Sequence, residues 1–278
     1  MPVPAQNQQY ENFIIRYKQN THGGFDYESD ETFQIVNDLF GILYVPMQEV
    51  PELELSSYSY SSIPRCYTYM DTGALSTSGV TRLHNHPYLK LQGKGTLVAV
   101  IDSGIDYLHP AFHNGVQSKI FSIWDQTLEG GADGRIPFGR EFGRQQIEQA
   151  LASENPWEIV PSSDTNGHGT RSAATAAGYR IEKDNFCGAA PEAEIVIVKL
   201  KQAKNYLRDF YLLPRDIDIF QEDDIMLAIS YVLFIAQEQQ MPLSICIGLG
   251  TSMGAHQGEG PLNEYINSIA AFTQNAVS

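Results

Sequence analysis

The rhythm of apolar and polar positions changes twice along the chain. In the first stretch, residues 12–50, two β-rich runs stand out: Phe13 to Tyr17, and Phe40 to Val45 ending at Pro46. Glu31 to Leu39 between them is predicted as a short helix, which makes the stretch a small α+β unit too small to bury a core alone. Residues 51–95 carry no sustained period. The Ser/Tyr-rich run Glu54 to Ser62 ends near Pro64 and reads as an extended connector or loop, and Gly93-Lys94-Gly95 punctuates its exit. From Thr96 onwards the pattern is different. Thr96 to Ile101 is a continuous apolar run, as expected of a strand buried on both faces of a parallel sheet. Gly169 to Tyr179 reads as a tightly packed helix of small residues and Glu194 to Leu200 as a second buried strand. Asp223 to Gln240 has helical spacing, with Ile225, Ala228, Ile229, Val232, Leu233 and Ala236 on one face, and Pro242 to Ile247 follows as a third strand. Alternating strands and helices predict an α/β fold with right-handed crossovers and helices on both sheet faces. The expected division is 1–60, 61–95 and 96–278.

The formal charge of −15 argues against nucleic-acid or anionic-membrane partners, because binding phosphates needs a basic surface. The acidic residues are spread out and read as a solvated surface. Cys66, Cys187 and Cys246 stand far apart with no CxxC pair, so neither a zinc site nor a disulfide framework is expected. Met1 to Tyr10 is polar and lacks a signal-peptide pattern, and no uninterrupted apolar run is long enough to span a bilayer. The expectation is a soluble protein without a signal peptide of its own.

In open parallel sheets ligands bind beyond the carboxyl ends of the strands. Asp102 stands there, in Ile101-Asp102-Ser103-Gly104-Ile105-Asp106, where a shielded carboxylate suits the orienting of an imidazole. Taken alone, the motif reads equally as a turn aspartate at a strand end. His168 lies between two glycines in Asp164-Thr165-Asn166-Gly167-His168-Gly169-Thr170, at the start of the small-residue helix. It reads either as a cleft imidazole with backbone close by or as a loop histidine. His84-Asn85-His86 has a two-residue spacing without a third metal ligand and reads as a loop. Asp216, Asp218, Glu222, Asp223 and Asp224 lack EF-hand spacing and are expected to be a solvated loop and helix N-terminus, where the dipole favours carboxylates.

Taken together, a strand ending in Asp102-Ser103-Gly104-Ile105-Asp106 and Asn166-Gly167-His168-Gly169-Thr170 at a helix start resemble the subtilisin family of serine proteases. Tyr107 to Phe112, and the turn Gly188-Ala189-Ala190-Pro191 leading into Glu194 to Leu200, extend the resemblance over roughly residues 93–255. It implies a subtilisin-like three-layer fold, incomplete at the C-terminus and preceded by a propeptide. It also implies Asp102 as the orienting acid and His168 as the general base. The two stand 66 residues apart, more than in compact members of that family, and Gln126 to Ser162 is the expected insertion. Gly248-Leu249-Gly250, after a buried strand, resembles the family's substrate-binding edge, whose backbone pairs with a polypeptide substrate as an added strand. The family requires no cofactor. A structural calcium is common in it, and no residues here are assigned to one.

Gly250-Thr251-Ser252-Met253-Gly254 matches both the family's nucleophile motif and the G-x-S-x-G elbow, yet the order of elements argues against Ser252. Only His256 follows it, glycines and Pro261 interrupt any helix after it, and the interval from His168 holds only about two crossover units of roughly 30 residues each. The nucleophile and the oxyanion donor are therefore expected beyond Ser278, and the polypeptide as it stands is expected to lack proteolytic activity. The N-terminal unit, Pro64 to Thr68 with Asp71-Thr72, Tyr88 to Gly95 and Trp124 to Thr127 are similar to the clostridial Csp germination proteases. That likeness implies a short propeptide as intramolecular partner, self-cleavage between about Ser56 and Gly95, and a cytoplasmic or spore-associated setting in a bacterium. Some Csp members are inactive, so the alternative function is a pseudoprotease acting as a binding or regulatory protein.

Overall fold

The computed structural model describes residues 3–17, 32–50, 58–69, 91–130, 134–184, 186–254, 258–272 and 276–277. Its centre is a six-stranded sheet built from β5 (Leu97–Asp102), β6 (Ile120–Asp125), β7 (Arg140–Gly143), β8 (Glu194–Lys199), β10 (Leu243–Ile247) and β12 (Ala276–Val277), in the order β12-β10-β5-β8-β6-β7. Neighbouring strands run parallel except β7, which pairs antiparallel with β6 at one edge.

Strand β5 shows why the order of apolar residues produces layers. Successive side chains leave a strand on opposite faces. Leu97, Ala99 and Ile101 join one apolar cluster with Ile225, Ala228, Ile229 and Val232 of helix α5 (Glu222–Gln239). Val98 and Val100 join another with Ala173 and Ala177 of helix α3 (His168–Ala177). Both faces are covered, and all six residues of β5 are buried. Each buried Leu, Ile or Val of such a strand stabilises the fold by about 1.5–3 kcal/mol. The remaining helices are α1 (Arg144–Leu151), α2 (Pro156–Ile159), α4 (Asn205–Phe210) and α6 (Pro261–Phe272). Strand β7 and helices α1 and α2 lie within the expected insertion, which contributes Phe138, Phe142, Ile147 and Val160 to the interior.

The N-terminal unit departs from the sequence expectation. Its described residues form a three-stranded antiparallel sheet of β1 (Tyr10–Arg16), β2 (Phe33–Ile35) and β3 (Phe40–Pro46) in the order β1-β3-β2. The helix expected over Glu31 to Leu39 is therefore overturned for its described part. Phe33, Gln34 and Ile35 pair with Leu43, Ile42 and Gly41. The Asn37 side-chain oxygen accepts the Leu39 and Phe40 amides at 2.9 and 2.8 Å, closing the turn between the strands. Such a turn-forming asparagine, next to aromatic and β-branched residues, outweighs a weak helical period.

As its size demanded, this unit finds a partner surface. Ile14, Val36, Phe40, Ile42 and Tyr44 belong to the same apolar cluster as α5. Beside them lies a buried polar cluster. Lys204 donates to the Pro4 and Tyr10 carbonyls at 2.8 and 3.1 Å and to the Asn12 side-chain oxygen at 2.6 Å. Asn12 donates to Asp223 at 2.5 Å, and Lys201 pairs with Asp224 at 2.5 Å. The expectation that Glu222, Asp223 and Asp224 are solvated is thus corrected: all three are buried at the start of α5. Their partners, Arg65, Asn12 and Lys201, come from elsewhere in the chain, and pairing is what allows carboxylates to leave water.

The connector also holds ordered structure. Its residues Cys66–Tyr69 form strand β4, the middle of a second small antiparallel sheet between β9 (Phe220–Gln221) and β11 (Leu249–Gly250). His84, Asn85 and His86 lie outside the described residues, as do Glu54 to Ser57, Asp71 and Thr72. No helix of the described residues is long and apolar enough to cross a membrane.

Candidate active site

Two elements meet at one end of the central sheet. Asp102 is the last residue of β5 and His168 the first of α3. His168 Nδ1 lies 2.8 and 2.9 Å from the two carboxylate oxygens of Asp102, with both residues buried. The close fit depends on Gly169. A Cβ placed there would stand 2.2 Å from the Gly104 carbonyl oxygen and 3.1 Å from Asp102 Cβ, so only glycine lets α3 come this near to the turn after β5.

A hydrogen-bonded girdle that the sequence reading did not single out fixes the junction. Asp164 accepts the Gly167 amide at 2.9 Å and Ser103 Oγ at 2.8 Å through one oxygen. Through the other it accepts the Thr170 amide at 2.8 Å and Thr170 Oγ1 at 2.6 Å. Ser103 Oγ in turn accepts the Gly169 amide at 2.9 Å, tying helix start to strand end. Burial opposes ionisation of Asp164, but the hydrogen bonds from Thr170, Ser103 and Gly167 outweigh it and hold the carboxyl below its usual range. An aspartate four residues before the helix, within a Gly/Asn-rich loop, was the available signal.

Gly248, Leu249 and Gly250 follow β10 directly beside the dyad. A Cβ on Gly248 would lie 2.8 Å from Asp102 Oδ2, 3.0 Å from His168 Cε1 and 3.3 Å from Ser172 Oγ. The edge they form already carries a strand: Leu249 and Gly250 pair antiparallel with Tyr69 and Thr68 of β4. On the far side of β4, Cys66 and Tyr67 pair with Gln221 and Phe220. The Tyr69 ring lies over the His168 imidazole, 4.4 Å between centroids and tilted by 30°. Ser252 is exposed in a bend, Met253 and Gly254 after it are not helical, and among the described residues the next helix begins at Pro261. Among the described residues no group of three or more His, Cys, Asp or Glu could hold a metal ion.

A histidine held by a buried carboxylate, beside a backbone edge that accepts an extended strand, is an arrangement suited to moving a proton while a polypeptide is bound. The sequence profile described as Subtilase family matches residues 93–211, the stretch that supplies Asp102, His168 and their girdle. Over that stretch the chain is similar to the subtilase family.

The chain is 30% identical over 125 residues to subtilisin-like protease SBT1.4 of Arabidopsis thaliana, covering 39% of the chain and 16% of that protein. It is 28% identical over 142 residues to SBT1.9 of the same plant, covering 46% of the chain and 18% of that protein. Among solved structures, the Clostridium perfringens CspB protease superposes with a TM-score of 0.58 at 29% identity, over 71% of this chain and 37% of that one. The chain thus spans less than a fifth of the length of these plant relatives.

Proposed function

We propose that this chain is part of a subtilase and carries the acid and the general base of a serine endopeptidase, held latent by its own strand β4. The observation that carries the reading is the Asp102–His168 pair at 2.8 Å beside a sheet edge that already binds an extended strand. Asp102 keeps the imidazole in the tautomer with the proton on Nδ1, leaving Nε2 to take the proton of a serine hydroxyl as it attacks the scissile carbonyl. Asp102 then stabilises the imidazolium until the proton passes to the leaving amine. Gly248 to Gly250 serve as the substrate-binding edge, forming main-chain hydrogen bonds to a polypeptide as an added strand.

In this reading no serine of residues 1–278 is the nucleophile. Ser252 sits in an exposed bend without the helix that a nucleophile of this fold opens. The nucleophile is assigned to sequence outside these residues. Residues 1–60 act as the propeptide and 61–95 as the connector that crosses the cleft, and any self-cleavage falls just C-terminal to Tyr69, where β4 has passed over His168. The Csp-type segments quoted above support extending the proposal to processing of a spore-germination protein. The occupied cleft supports a second reading, a pseudoprotease whose plugged groove serves regulation.

Peptide hydrolysis by the full-length natural protein separates the two. The endopeptidase reading expects turnover that falls by about four orders of magnitude in Asp102→Asn. Activity absent from the unaltered protein after removal of the connector would leave the pseudoprotease.

A further inference from the structure

Resting on that reading, we infer that Asp218 is the recognition end of a subsite that selects a tyrosine side chain from the bound polypeptide, and that Tyr69 fills this subsite in the chain itself. Strand β4 crosses the cleft as the middle strand between β9 and β11, so its side chains sample the positions a substrate strand would offer. The Tyr69 ring is held in a slot. The His168 imidazole forms the floor at 4.4 Å, and Phe220 meets the ring edge-on at 5.5 Å and 66°. At the far end the phenol hydroxyl donates to Asp218 Oδ2 at 3.1 Å.

The carboxylate that closes the slot is positioned by groups other than the tyrosine. Asn166 Nδ2 donates to Asp218 Oδ2 at 3.2 Å, and Gln202 Nε2 donates to Oδ1 at 2.8 Å. The Gln202 amide has only one workable orientation, because its oxygen accepts Arg208 Nη2 at 2.8 Å and the Ile219 amide at 3.0 Å. Arg208 is itself buried and held by the Pro214 and Ile217 carbonyls at 2.8 and 3.1 Å. The Asp218 carbonyl accepts Thr68 Oγ1 at 3.0 Å, so the same residue also reads the neighbouring position of the strand. A preorganised acceptor costs little to engage, which is the property of a recognition group.

A carboxylate only accepts hydrogen bonds, so the slot favours an aromatic ring bearing a donor. Phenylalanine fills the slot and leaves the acceptor short of a partner, while phosphotyrosine brings like charge against Asp218. Burial, and then the charge of Asp218, keep the Tyr69 phenol protonated far above its ordinary range, so it remains a donor throughout the physiological pH range.

Cys66 provides a readout that needs no catalysis. It lies on the same strand and is buried, and burial pushes its thiol up to about 12, so alkylation requires the strand to leave the cleft. Iodoacetamide labelling of Cys66 in the 278-residue chain, located by mass spectrometry, is measured for the unaltered chain, Tyr69→Phe, Asp218→Ala and the double variant. Each single change is expected to speed labelling about 10-fold, as for loss of one hydrogen bond to a charged group. The double variant is expected to be no faster than either single one. Effects that multiply in the double variant overturn the inference. In the full-length protein, peptides carrying tyrosine at this position should be cleaved about 10-fold faster than those with phenylalanine, and Asp218→Ala should bring the ratio to about one. Equal rates for the two peptides in the unaltered protein also overturn it. If neither peptide is cleaved, the protease reading fails and the Cys66 cycle alone decides whether Asp218 recognises the tyrosine.

Discussion

Replacing Gly169 by alanine tests the construction of the dyad at its tightest point. The new Cβ would stand 2.2 Å from the Gly104 carbonyl oxygen, 3.0 Å from its nitrogen and 3.1 Å from Asp102 Cβ. An ordinary carbon–oxygen contact is about 3.3–3.6 Å, so α3 and the turn after β5 must separate by roughly 1 Å. All three contacts are with backbone or with a buried side chain, so no flexible side-chain tip can yield. Overpacking of this kind costs about 1–3 kcal/mol. For a chain of this size that is a fall in Tm of about 2–12 °C. The same opening draws His168 away from Asp102, and a misplacement of about 1 Å costs on the order of 100-fold in rate. Thermal unfolding of the 278-residue chain followed by circular dichroism gives the first quantity. The low-field proton resonance of the His168–Asp102 hydrogen bond reports the displacement of His168 from Asp102. A Tm within about 1 °C of the unaltered chain, together with an unchanged resonance, would refute the close-approach argument.

Two other perturbations test the supports of the site. Lys204→Met removes the donor shared by Pro4, Tyr10 and Asn12, and leaving these buried acceptors unsatisfied should lower stability by about 1–3 kcal/mol and expose the N-terminal unit to trypsin; unchanged urea unfolding would contradict it. Asp164 has a folded-state pKa below its unfolded value, so it stabilises the fold above the ordinary carboxylate range and ceases to do so as pH falls through the folded value. Asp164→Asn should therefore lower Tm at pH 7 and converge with the unaltered chain as pH falls below the folded-state value, and a gap that stays constant with pH would count against the girdle.

What the sequence made legible follows from where the determining contacts lie. Strands β5, β8 and β10 and helices α3 and α5 were readable because strands buried on both faces are continuous apolar runs and the helices carry a regular face. The approach of Asp102 to His168 was readable because glycines mark where strand end and helix start come together. Strand β4 was hidden in a Ser/Tyr-rich connector because its partners, Phe220 to Gln221 and Leu249 to Gly250, are supplied by distant parts of the chain. The burial of Glu222, Asp223 and Asp224 was hidden for the same reason, since acidic residues at a helix start look solvated until Arg65, Asn12 and Lys201 are brought to them. Asp218 stood out only as one of a group of acidic residues read as solvated, Tyr69 gave no signal, and their meeting depends on β4 crossing the cleft.

The most direct test of the account is covalent labelling of the full-length natural protein, freed of its connector, with a fluorophosphonate probe, followed by peptide mapping. One labelled serine is expected, outside residues 1–278, whose labelling is lost in His168→Ala and unaffected by Ser252→Ala. Labelling at Ser252, or labelling that survives the loss of His168, would contradict it.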